Sequence, residues 1–292
     1  MSSKVALVTG CDKRYTPLLL GFLESVRDAG TLEACDVIVF DIDFTESQIA
    51  LLRQFDVRMR KTSDLPTIFS PADPLGRDVV VSYRTALPEL FPGYEIYIYM
   101  DVDVWLQDAG AISILITAAG SRSLAIAFEF DRAYRFKESE LAWTQRNYES
   151  IFGPARAQEL MRYPPLNSGV FAMHADSPGW AIWREAYRRA LDAGGHWFAS
   201  GQAVLTDLHA RRAIPIHPLP SVCNWTAHLA LPAWDGRRRA FVTPFYPREK
   251  ILVMHQTDDL KIRSVPIAVT NGRVVNAPLS YRTYKKLLAR DD

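Results

Sequence analysis

Two aspartates separated by one residue are the first chemical signal in the sequence. Asp101 and Asp103 follow an apolar run, Ile96–Met100, that predicts a strand buried on both faces. Side chains two positions apart on an extended backbone point the same way, so both carboxylates face one spot. Two anions held side by side repel each other, and a divalent cation relieves that repulsion. A polar turn that carries two solvated aspartates is the alternative interpretation.

A histidine and a lysine near the end of the chain could complete a site for a metal and a phosphate. His255 ends a late apolar run, and Lys261 follows six residues later. Neutral imidazole is a good ligand for transition metals and a poor one for magnesium, so an Asp, Asp, His set favours Mn²⁺. A nearby lysine could neutralise phosphate oxygens bound to that metal. A histidine on a strand also commonly has a structural role, and the residues alone leave both interpretations open.

The turn after the first apolar run, residues 4–9, argues against one common class of nucleotide-binding protein. The run ends at Gly10, as in many dehydrogenases. The further glycines that let a backbone approach a dinucleotide pyrophosphate are absent. Asp12 stands in this turn instead. Its carboxylate could accept a hydrogen bond from the edge of a nucleobase, or it could cap the turn.

Strands and helices alternate along the first part of the chain. Apolar runs at 36–40 and 57–60 predict strands, and helical spacing of apolar residues predicts helices at 16–29 and 45–55. This alternation is typical of an α/β fold with a mostly parallel, Rossmann-like sheet and helices on both faces. Such sheets bind ligands at the carboxyl ends of their strands, where the Asp pair lies.

The same periodicities predict the later elements. We expect a helix at 79–87 that Pro88 limits, and one or two helices within the segment 133–162. A helix at 177–192 has Ser177 as its cap and ends at Gly194-Gly195. The other predicted elements are strands at 123–128, 167–174, 213–217 and 251–255, and helices at 109–119, 201–209 and 279–290.

The overall composition excludes several classes of protein. The 292 residues carry a formal net charge of +1, which gives no reason to expect a nucleic-acid partner. The three cysteines have no metal-ligand spacing, which indicates reduced thiols. No apolar window reaches the length of a membrane-spanning helix, and the first residues do not form a signal-peptide pattern. We therefore expect a cytoplasmic protein, and the oligomeric state stays open.

Several short motifs occur in an order that resembles a known enzyme family. They are Tyr83-Arg84 ahead of the strand, the Asp pair, Asn167-Ser168-Gly169-Val170, Gly201-Gln202, Leu219-Pro220 followed by Asn224, and His255 with Lys261. In this order, over most of the chain, the sequence resembles the retaining glycosyltransferases of family 8. That family includes glycogenin and the lipopolysaccharide galactosyltransferases. The resemblance implies a GT-A fold and transfer of a hexose from a UDP-sugar to a saccharide or glycolipid acceptor.

The resemblance also implies roles for single residues. Asp101, Asp103 and His255 would bind Mn²⁺, with Mg²⁺ as the alternative, and the metal would bridge the nucleotide diphosphate. The other implied donor-site residues are Val102 between the two aspartates, Lys261 at the diphosphate, Arg84 at the diphosphate or in support of the Asp pair, Asp12 at the uracil, and Asn167 and Gln202 at the donor sugar.

The sequence departs from the family pattern at three places, one of which is Ile262-Arg263 where the family has Pro-Trp after the lysine. The acidic residue that precedes the glutamine in the family is Gly201 here, which leaves the identity of the donor sugar open. The glycine three residues after the histidine is Asp258, and an acidic residue near a diphosphate is unfavourable unless it points away. We therefore expect a divergent member whose nucleotide loop is remodelled.

The implied reaction breaks a sugar–phosphate bond through an oxocarbenium-like state. Negative charge grows on the diphosphate, which a metal and Lys261 stabilise, so no strong base is needed. Glu129 or Asp131, after the strand at 123–128, could act as a base or bind sugar hydroxyls, or lie in a solvated loop. A metal-dependent nucleotidyltransferase or phosphotransferase, and a non-catalytic binding protein with the same fold, are the alternatives.

The chain is predicted to form a single catalytic domain over 1–292. Its nucleotide-sugar half covers about 1–130, its acceptor half about 131–265, and a basic tail 270–292. The tail combines lysine and arginine with tyrosine and leucine, so it could rest on the inner face of an anionic membrane, as a glycolipid acceptor would favour. An ordinary surface helix is the alternative.

Overall fold

The computed structural model describes residues 5–66, 68, 78–193 and 197–289. Its strands are β1 Val5–Cys11, β2 Asp36–Asp41, β3 Val57–Lys61, β4 Ile96–Met100, β5 Val104–Leu106, β6 Leu124–Phe128, β7 Leu166–His174, β8 Ile216–Leu219, β9 Trp225–Thr226, β10 Ala233–Asp235, β11 Ala240–Val242, β12 Val253–His255, β13 Val265–Val269 and β14 Val274–Ala277. Its α-helices are α1 Thr16–Asp28, α2 Glu46–Leu52, α3 Asp78–Tyr83, α4 Leu87–Leu90, α5 Gly110–Ala119, α6 Glu138–Phe152, α7 Pro154–Leu160, α8 Gly179–Asp192, α9 Trp197–Ala210 and α10 Tyr281–Leu288. Short 3₁₀ helices cover Lys13–Tyr15, Thr31–Glu33, Thr62–Asp64, Ser221–Cys223 and Asp258–Lys261.

A seven-stranded sheet in the order β3-β2-β1-β4-β7-β6-β8 organises the molecule. Every neighbouring pair is parallel except those of β7, which runs antiparallel to both β4 and β6. The predicted α/β class with a mostly parallel central sheet is therefore confirmed. Because β7 runs antiparallel to β4, the first residues of β7 lie beside the last residues of β4. Both therefore lie on the side of the sheet where the parallel strands have their carboxyl ends.

Two apolar layers cover the two faces of this sheet. One contains the buried side of α1 with Leu19 and Phe22, together with Leu115 from α5. The other contains Trp183 and Tyr187 from α8 with residues of α3 and α9. The strand runs that are apolar on both faces thus have helices to pack against on each side, as their sequence requires.

Two smaller sheets hold the end of the chain against the main body. They are a four-stranded sheet, β11-β10-β13-β14, and a three-stranded one, β5-β12-β9. In the second, β12 pairs antiparallel with β5, and His255 lies opposite Val104. This pairing brings the histidine next to the Asp pair, although more than a hundred residues separate them along the chain.

The C-terminal helix α10 is an integral part of the core. Tyr281, Tyr284 and Leu287 are buried, and the Tyr284 ring stacks on Trp105 with 5.1 Å between ring centroids. Its apolar side is therefore covered by protein, and lysine and arginine side chains form most of its outer surface.

None of the described helices is both long and apolar enough to cross a bilayer. Cytoplasmic location and contact of the basic tail with a membrane stay predictions.

Some predicted element bounds are wrong, for local reasons. Pro88 does not end a helix but lies in the first turn of α4, where its missing N–H costs nothing. Helix α9 begins at Trp197, earlier than the predicted 201, and strand β8 covers Ile216–Leu219 rather than 213–217. The predicted stop at Gly194-Gly195 lies outside the described residues.

Candidate active site

The Asp pair forms a turn at the carboxyl end of β4, not an extended segment. The backbone N–H of Val104 donates to the carbonyl of Asp101 at 3.3 Å, after which β5 begins. The sequence prediction that both carboxylates face one spot holds, but the reason is this turn and not the alternation of a strand. Val102 lies between them, buried, in the wall of the same cavity.

Three ligand atoms converge at this turn. Oxygens of Asp101 and Asp103 and a ring nitrogen of His255 all lie within 4.8 Å of one another. Asp103 Oδ1 is 3.3 Å from His255 Nε2, and its other oxygen accepts from Lys261 Nζ at 2.7 Å. Asp101 accepts from the hydroxyl of Tyr99 at 2.9 Å. The buried guanidinium of Arg84 lies 3.9 Å from the same oxygen.

The protonation of these groups follows from burial and from their neighbours. Burial raises the pKa of Asp101, and Arg84 offsets part of that effect. Burial also opposes ionisation of Asp103, but His255 and Lys261 outweigh it and hold the pKa of Asp103 well below its usual range. Burial lowers the pKa of His255, and the neighbouring Asp103 raises it. The net result is a pKa above the ordinary value. The site therefore brings acidic and basic groups close together, with Asp103 and His255 buried and the side chain of Asp101 33% exposed.

Gly169 is the part of the Asn-Ser-Gly-Val motif that makes room for this set. A Cβ at this position would lie 2.4 Å from Cε1 of His255 and 2.7 Å from Oδ2 of Asp101. Carbon atoms do not approach that closely, so any larger residue would push the ligands apart. The carbonyl of Gly169 also accepts from the N–H of Asp101 at 2.8 Å. The motif that the sequence singled out thus shapes the cradle in which the three ligand atoms meet.

A chain of side-chain amides fixes the orientation of the His255 ring. The N–H of Gly169 can only donate, and it points at Oδ1 of Asn167 at 3.0 Å. Asn224 therefore offers its Nδ2 to the same oxygen at 3.1 Å, which leaves its Oδ1 to accept from His255 Nδ1 at 2.9 Å. Nδ1 then carries a proton, and Nε2 is the nitrogen directed at Asp103. This is the arrangement in which an imidazole can bind a metal through Nε2.

The site opens into a cavity of about 600 Å³. Nine of the ten residues predicted for the site line it: Asp12, Arg84, Asp101, Val102, Asp103, Asn167, Gln202, His255 and Lys261. Asp12 also accepts from the backbone N–H of Arg14 at 2.9 Å, so it caps the following 3₁₀ helix as well.

Asp131, the remaining predicted residue, lies apart from this cavity. Its two oxygens accept from the N–H of Ala133 at 2.8 Å and from the hydroxyl of Ser221 at 2.6 Å. The sequence offered Glu129 as the alternative to Asp131 for a base or for a group that binds sugar hydroxyls. It lines the cavity and accepts from Asn167 Nδ2 at 2.8 Å. Burial raises the pKa of Glu129, although hydrogen bonds from Asn167 and Gln202 oppose that shift.

Asp258 and Gly201, two of the departures from the family pattern, have different structural settings. Asp258 has a φ of +59°, a left-handed conformation that glycine adopts freely and aspartate more readily than most residues. Gly201 is a helical residue, and a Cβ there would lie 3.7 Å from Nη2 of Arg84. Arg84 Nε is buried without a hydrogen-bond partner among the described residues. An acidic side chain at position 201 would lie next to this guanidinium.

Sequence reasoning missed two features of the site. The role of Asn224 had no signal beyond its place after a Leu-Pro pair, because its partners are distant in the chain. The aromatic and polar wall that helix α6 contributes, including Trp143, was also not assigned to the site. The spacing of residues 139, 140, 143, 144, 147 and 148, which is that of one helix face, could have indicated it.

Solved glycosyltransferase structures share this architecture. The galactosyltransferase LgtC, in complex with donor and acceptor sugar analogues, matches with a TM-score of 0.54 and 14% identity, over 97% of this chain and 95% of LgtC. Mouse xyloside xylosyltransferase 1 matches with a TM-score of 0.52 and 16% identity, over 87% and 98%. GlyE of Streptococcus pneumoniae TIGR4 matches with a TM-score of 0.55 and 14% identity, over 99% of this chain but 61% of GlyE.

The fold is therefore the GT-A glycosyltransferase fold, as the resemblance to family 8 implies. No protein-family model and no curated protein sequence matches the chain. The likeness is thus one of fold, carried by a divergent sequence. The chain spans about three fifths of the length of GlyE and nearly all of LgtC.

Proposed function

We propose that this protein is a metal-dependent, retaining glycosyltransferase. It would move a hexose from a UDP-sugar to a saccharide or glycolipid acceptor. The observation that carries the proposal is the convergence of Asp101, Asp103 and His255, next to Lys261, in the cavity of a GT-A fold. These residues provide what a nucleotide diphosphate needs, namely ligands for its cation and a positive charge for its remaining oxygens.

The three ligand atoms fit a divalent transition metal. Two carboxylates and one imidazole nitrogen suit Mn²⁺ better than Mg²⁺, which prefers oxygen ligands and keeps its waters. The cradle at Gly169 and the proton on Nδ1 of His255 both prepare this set for an ion. A bound cation supplies Lewis-acid stabilisation of the charge that develops on the leaving diphosphate.

Lys261 and Arg84 are the groups of this chain that would hold the diphosphate. Lys261 now pairs with Asp103, and it is free to turn to a phosphate oxygen when a cation takes over that carboxylate. Arg84 is almost fully buried and keeps its Nε without a partner in the part of the chain described. A buried guanidinium with spare donors is strongly stabilised by an anion.

The sugar end of the donor would lie against Glu129, Asn167 and Gln202. Both the amide nitrogen and the oxygen of Asn167 are already engaged within the protein, so its main role is to hold Glu129 and Asn224 in place.

The bond from the anomeric carbon to the phosphate oxygen breaks, and its electron pair leaves with the phosphate. The acceptor oxygen bonds to that carbon on the same face and gives its proton to the departing phosphate oxygen. Gln202 is a poor nucleophile, which favours this route over a covalent intermediate.

The test combines binding with turnover. Mn²⁺ with UDP should raise the melting temperature of the wild-type protein, since a ligand at a hundred times its Kd adds about 2.7 kcal/mol of stability. UDP release from UDP-glucose and UDP-galactose should depend on Mn²⁺. Asp103→Ala should abolish both effects, whereas Asp176→Ala, an exposed aspartate outside the cavity, should keep them.

Each other outcome points to a different conclusion. Full Mn²⁺ dependence in Asp103→Ala would overturn the metal assignment. A phosphorylated sugar product would identify a nucleotidyltransferase or phosphotransferase. UDP binding without turnover of any UDP-sugar would indicate a binding protein.

A further inference from the structure

One face of helix α6 forms a wall of the cavity beyond the metal site. The residues that line the cavity from this helix are Ser139, Glu140, Trp143, Thr144, Asn147 and Tyr148. They recur at helical spacing, so together they make one continuous surface. Trp143 is 48% exposed, which is unusual for the largest apolar side chain, and it is the only described tryptophan among the exposed large apolar residues.

The order of strands shows which end of the cavity this wall belongs to. Asp12 follows β1, the Asp pair follows β4, Asn167 begins β7, and Glu129 follows β6; these four strands are neighbours in that order. With strands about 4.8 Å apart, Glu129 lies roughly 15 Å across the sheet from Asp12. Tyr148 of α6 packs with Ala203 of α9, the neighbour of Gln202. The wall therefore lies beside the position proposed for the donor sugar.

Charge separates the two ends of the cavity. Among the described residues that line it, the arginine and lysine side chains are Arg84 and Lys261, and both lie at the Asp pair. The wall offers Glu140 instead, with Glu129 beside it, and Glu140 is already paired with Lys137 at 3.3 Å. His228 also lines the cavity, and burial lowers the pKa of its ring. This end suits a ligand without negative charge.

Resting on the function proposed above, we propose that this wall is the acceptor subsite and that it takes a neutral saccharide, which packs against the ring of Trp143. The apolar face of a sugar ring fits an exposed indole, and hydroxyls can bond to the hydroxyl of Thr144, the next residue, and to Asn147 Oδ1 one turn later. The Nδ2 of Asn147 and the hydroxyl hydrogen of Thr144 bond to backbone carbonyls within α6, which orients both side chains. The described residues of this wall include no lysine or arginine that could pair with a phosphorylated or carboxylated sugar, so a neutral sugar is favoured.

The experiment measures binding of defined sugars by saturation-transfer NMR in the presence of UDP and Mn²⁺. The probes are neutral disaccharides (maltose, cellobiose, lactose and chitobiose) and glucuronic acid as an anionic counterpart. We expect at least one neutral disaccharide to bind the wild-type protein, and Trp143→Ala to weaken that binding by roughly tenfold, the loss of one stacked ring. Leu141→Ala is the matched control, because Leu141 is exposed on the same helix but does not line the cavity.

UDP affinity, measured by calorimetry in the same variants, separates this proposal from the function on which it rests. If the wild-type protein does not bind UDP, the proposed donor is wrong. The saccharide result still tests the acceptor subsite independently. Equal disaccharide binding by Trp143→Ala and Leu141→Ala, absence of binding by every neutral probe, or stronger binding of glucuronic acid would overturn the acceptor subsite. A loss of UDP affinity in Trp143→Ala would show that the ring stacks on the nucleobase instead, and would overturn it as well.

Discussion

At the scale of a single residue, Asn224 holds the ring of His255, one of the three residues of the proposed metal site. It is almost fully buried, and its Oδ1 accepts from Nδ1 of His255. Asn224→Leu keeps the branched shape of the side chain but removes this acceptor, so the ring loses the partner that fixes its tautomer and orientation. We expect Mn²⁺ affinity to fall by about 10-fold to 100-fold, the usual effect of losing such a supporting hydrogen bond. Electron paramagnetic resonance titration of Mn²⁺ measures this directly, without any substrate.

Ser221→Ala provides the control for Asn224→Leu. Ser221 lies in the 3₁₀ helix that ends just before Asn224, and its hydroxyl donates to Asp131, outside the cavity. Both variants lose a hydrogen bond in one short segment, but only Asn224→Leu disturbs His255. Equal Mn²⁺ affinity in the two variants would show that Asn224 has no role at the metal.

Glu129 should make the stability of the protein depend on pH. Burial raises its pKa above the ordinary value of 4.5, so the folded state binds the proton more tightly than the unfolded state. Stability is therefore lost as pH rises through the raised pKa of the folded state, because the carboxylate must then be charged in a poorly hydrated place. Glu129→Gln removes this cost. We expect Glu129→Gln to melt at a higher temperature than the wild-type protein at pH 8, with the difference vanishing near pH 4.

Calorimetric melting of both proteins between pH 4 and 8 is the measurement. A wild-type protein that is more stable than Glu129→Gln at pH 8 would mean that the bonds from Asn167 and Gln202 outweigh burial. Sugar transfer should fall in Glu129→Gln at every pH, since the residue lines the cavity next to Gln202.

At the scale of elements, the sequence predicted best what depends on local pattern. Strand β4 and the place of the Asp pair at its end follow from one apolar run and its polar end. His255 and Lys261 were joined by their spacing, and the 3₁₀ helix Asp258–Lys261 does bring the lysine back to Asp103. The antiparallel course of β7 could not be predicted, because a strand buried on both faces reads the same in either direction. The partners of Asn224 could not be predicted either, since they lie 31 and 57 residues away.

Helix α10 and the nearby Leu279 pack against Trp105 in β5, the strand that follows the Asp pair. Trp105, two residues after Asp103, donates from Nε1 to the carbonyl of Leu279 at 2.8 Å and stacks on Tyr284. Tyr284→Ala empties a buried ring position, and we expect a loss of about 3 kcal/mol in the free energy of unfolding. Urea unfolding followed by tryptophan fluorescence measures the loss. Tyr246→Ala, at a tyrosine that is 86% exposed, should change stability by no more than about 0.5 kcal/mol.

At the scale of the whole molecule, the two halves predicted from the sequence, before and after residue 130, contribute strands to the same sheet. Strand β7, from the half after residue 130, lies between β4 and β6, which come from the half before it. Strand β12 from the second half likewise pairs with β5 from the first. The site is assembled across these pairings, because Asp101 and Asp103 come from one half and His255 and Lys261 from the other. Binding and folding should therefore be coupled across the entire chain.

This interleaving predicts that neither half folds alone. A fragment of residues 1–130 would lack β7, so β4 and β6 would each expose an unpaired, apolar edge to water. We expect this fragment to show no cooperative thermal transition by circular dichroism, whereas the full chain unfolds in urea with coincident circular dichroism and fluorescence transitions. Mixing the fragment with residues 131–292 tests the same point, since complementation should restore Mn²⁺ binding only as the sheet forms. A cooperative melt of residues 1–130 by itself, or two separate transitions in the full chain, would show that the halves are independent and that the metal site forms after folding, when they dock.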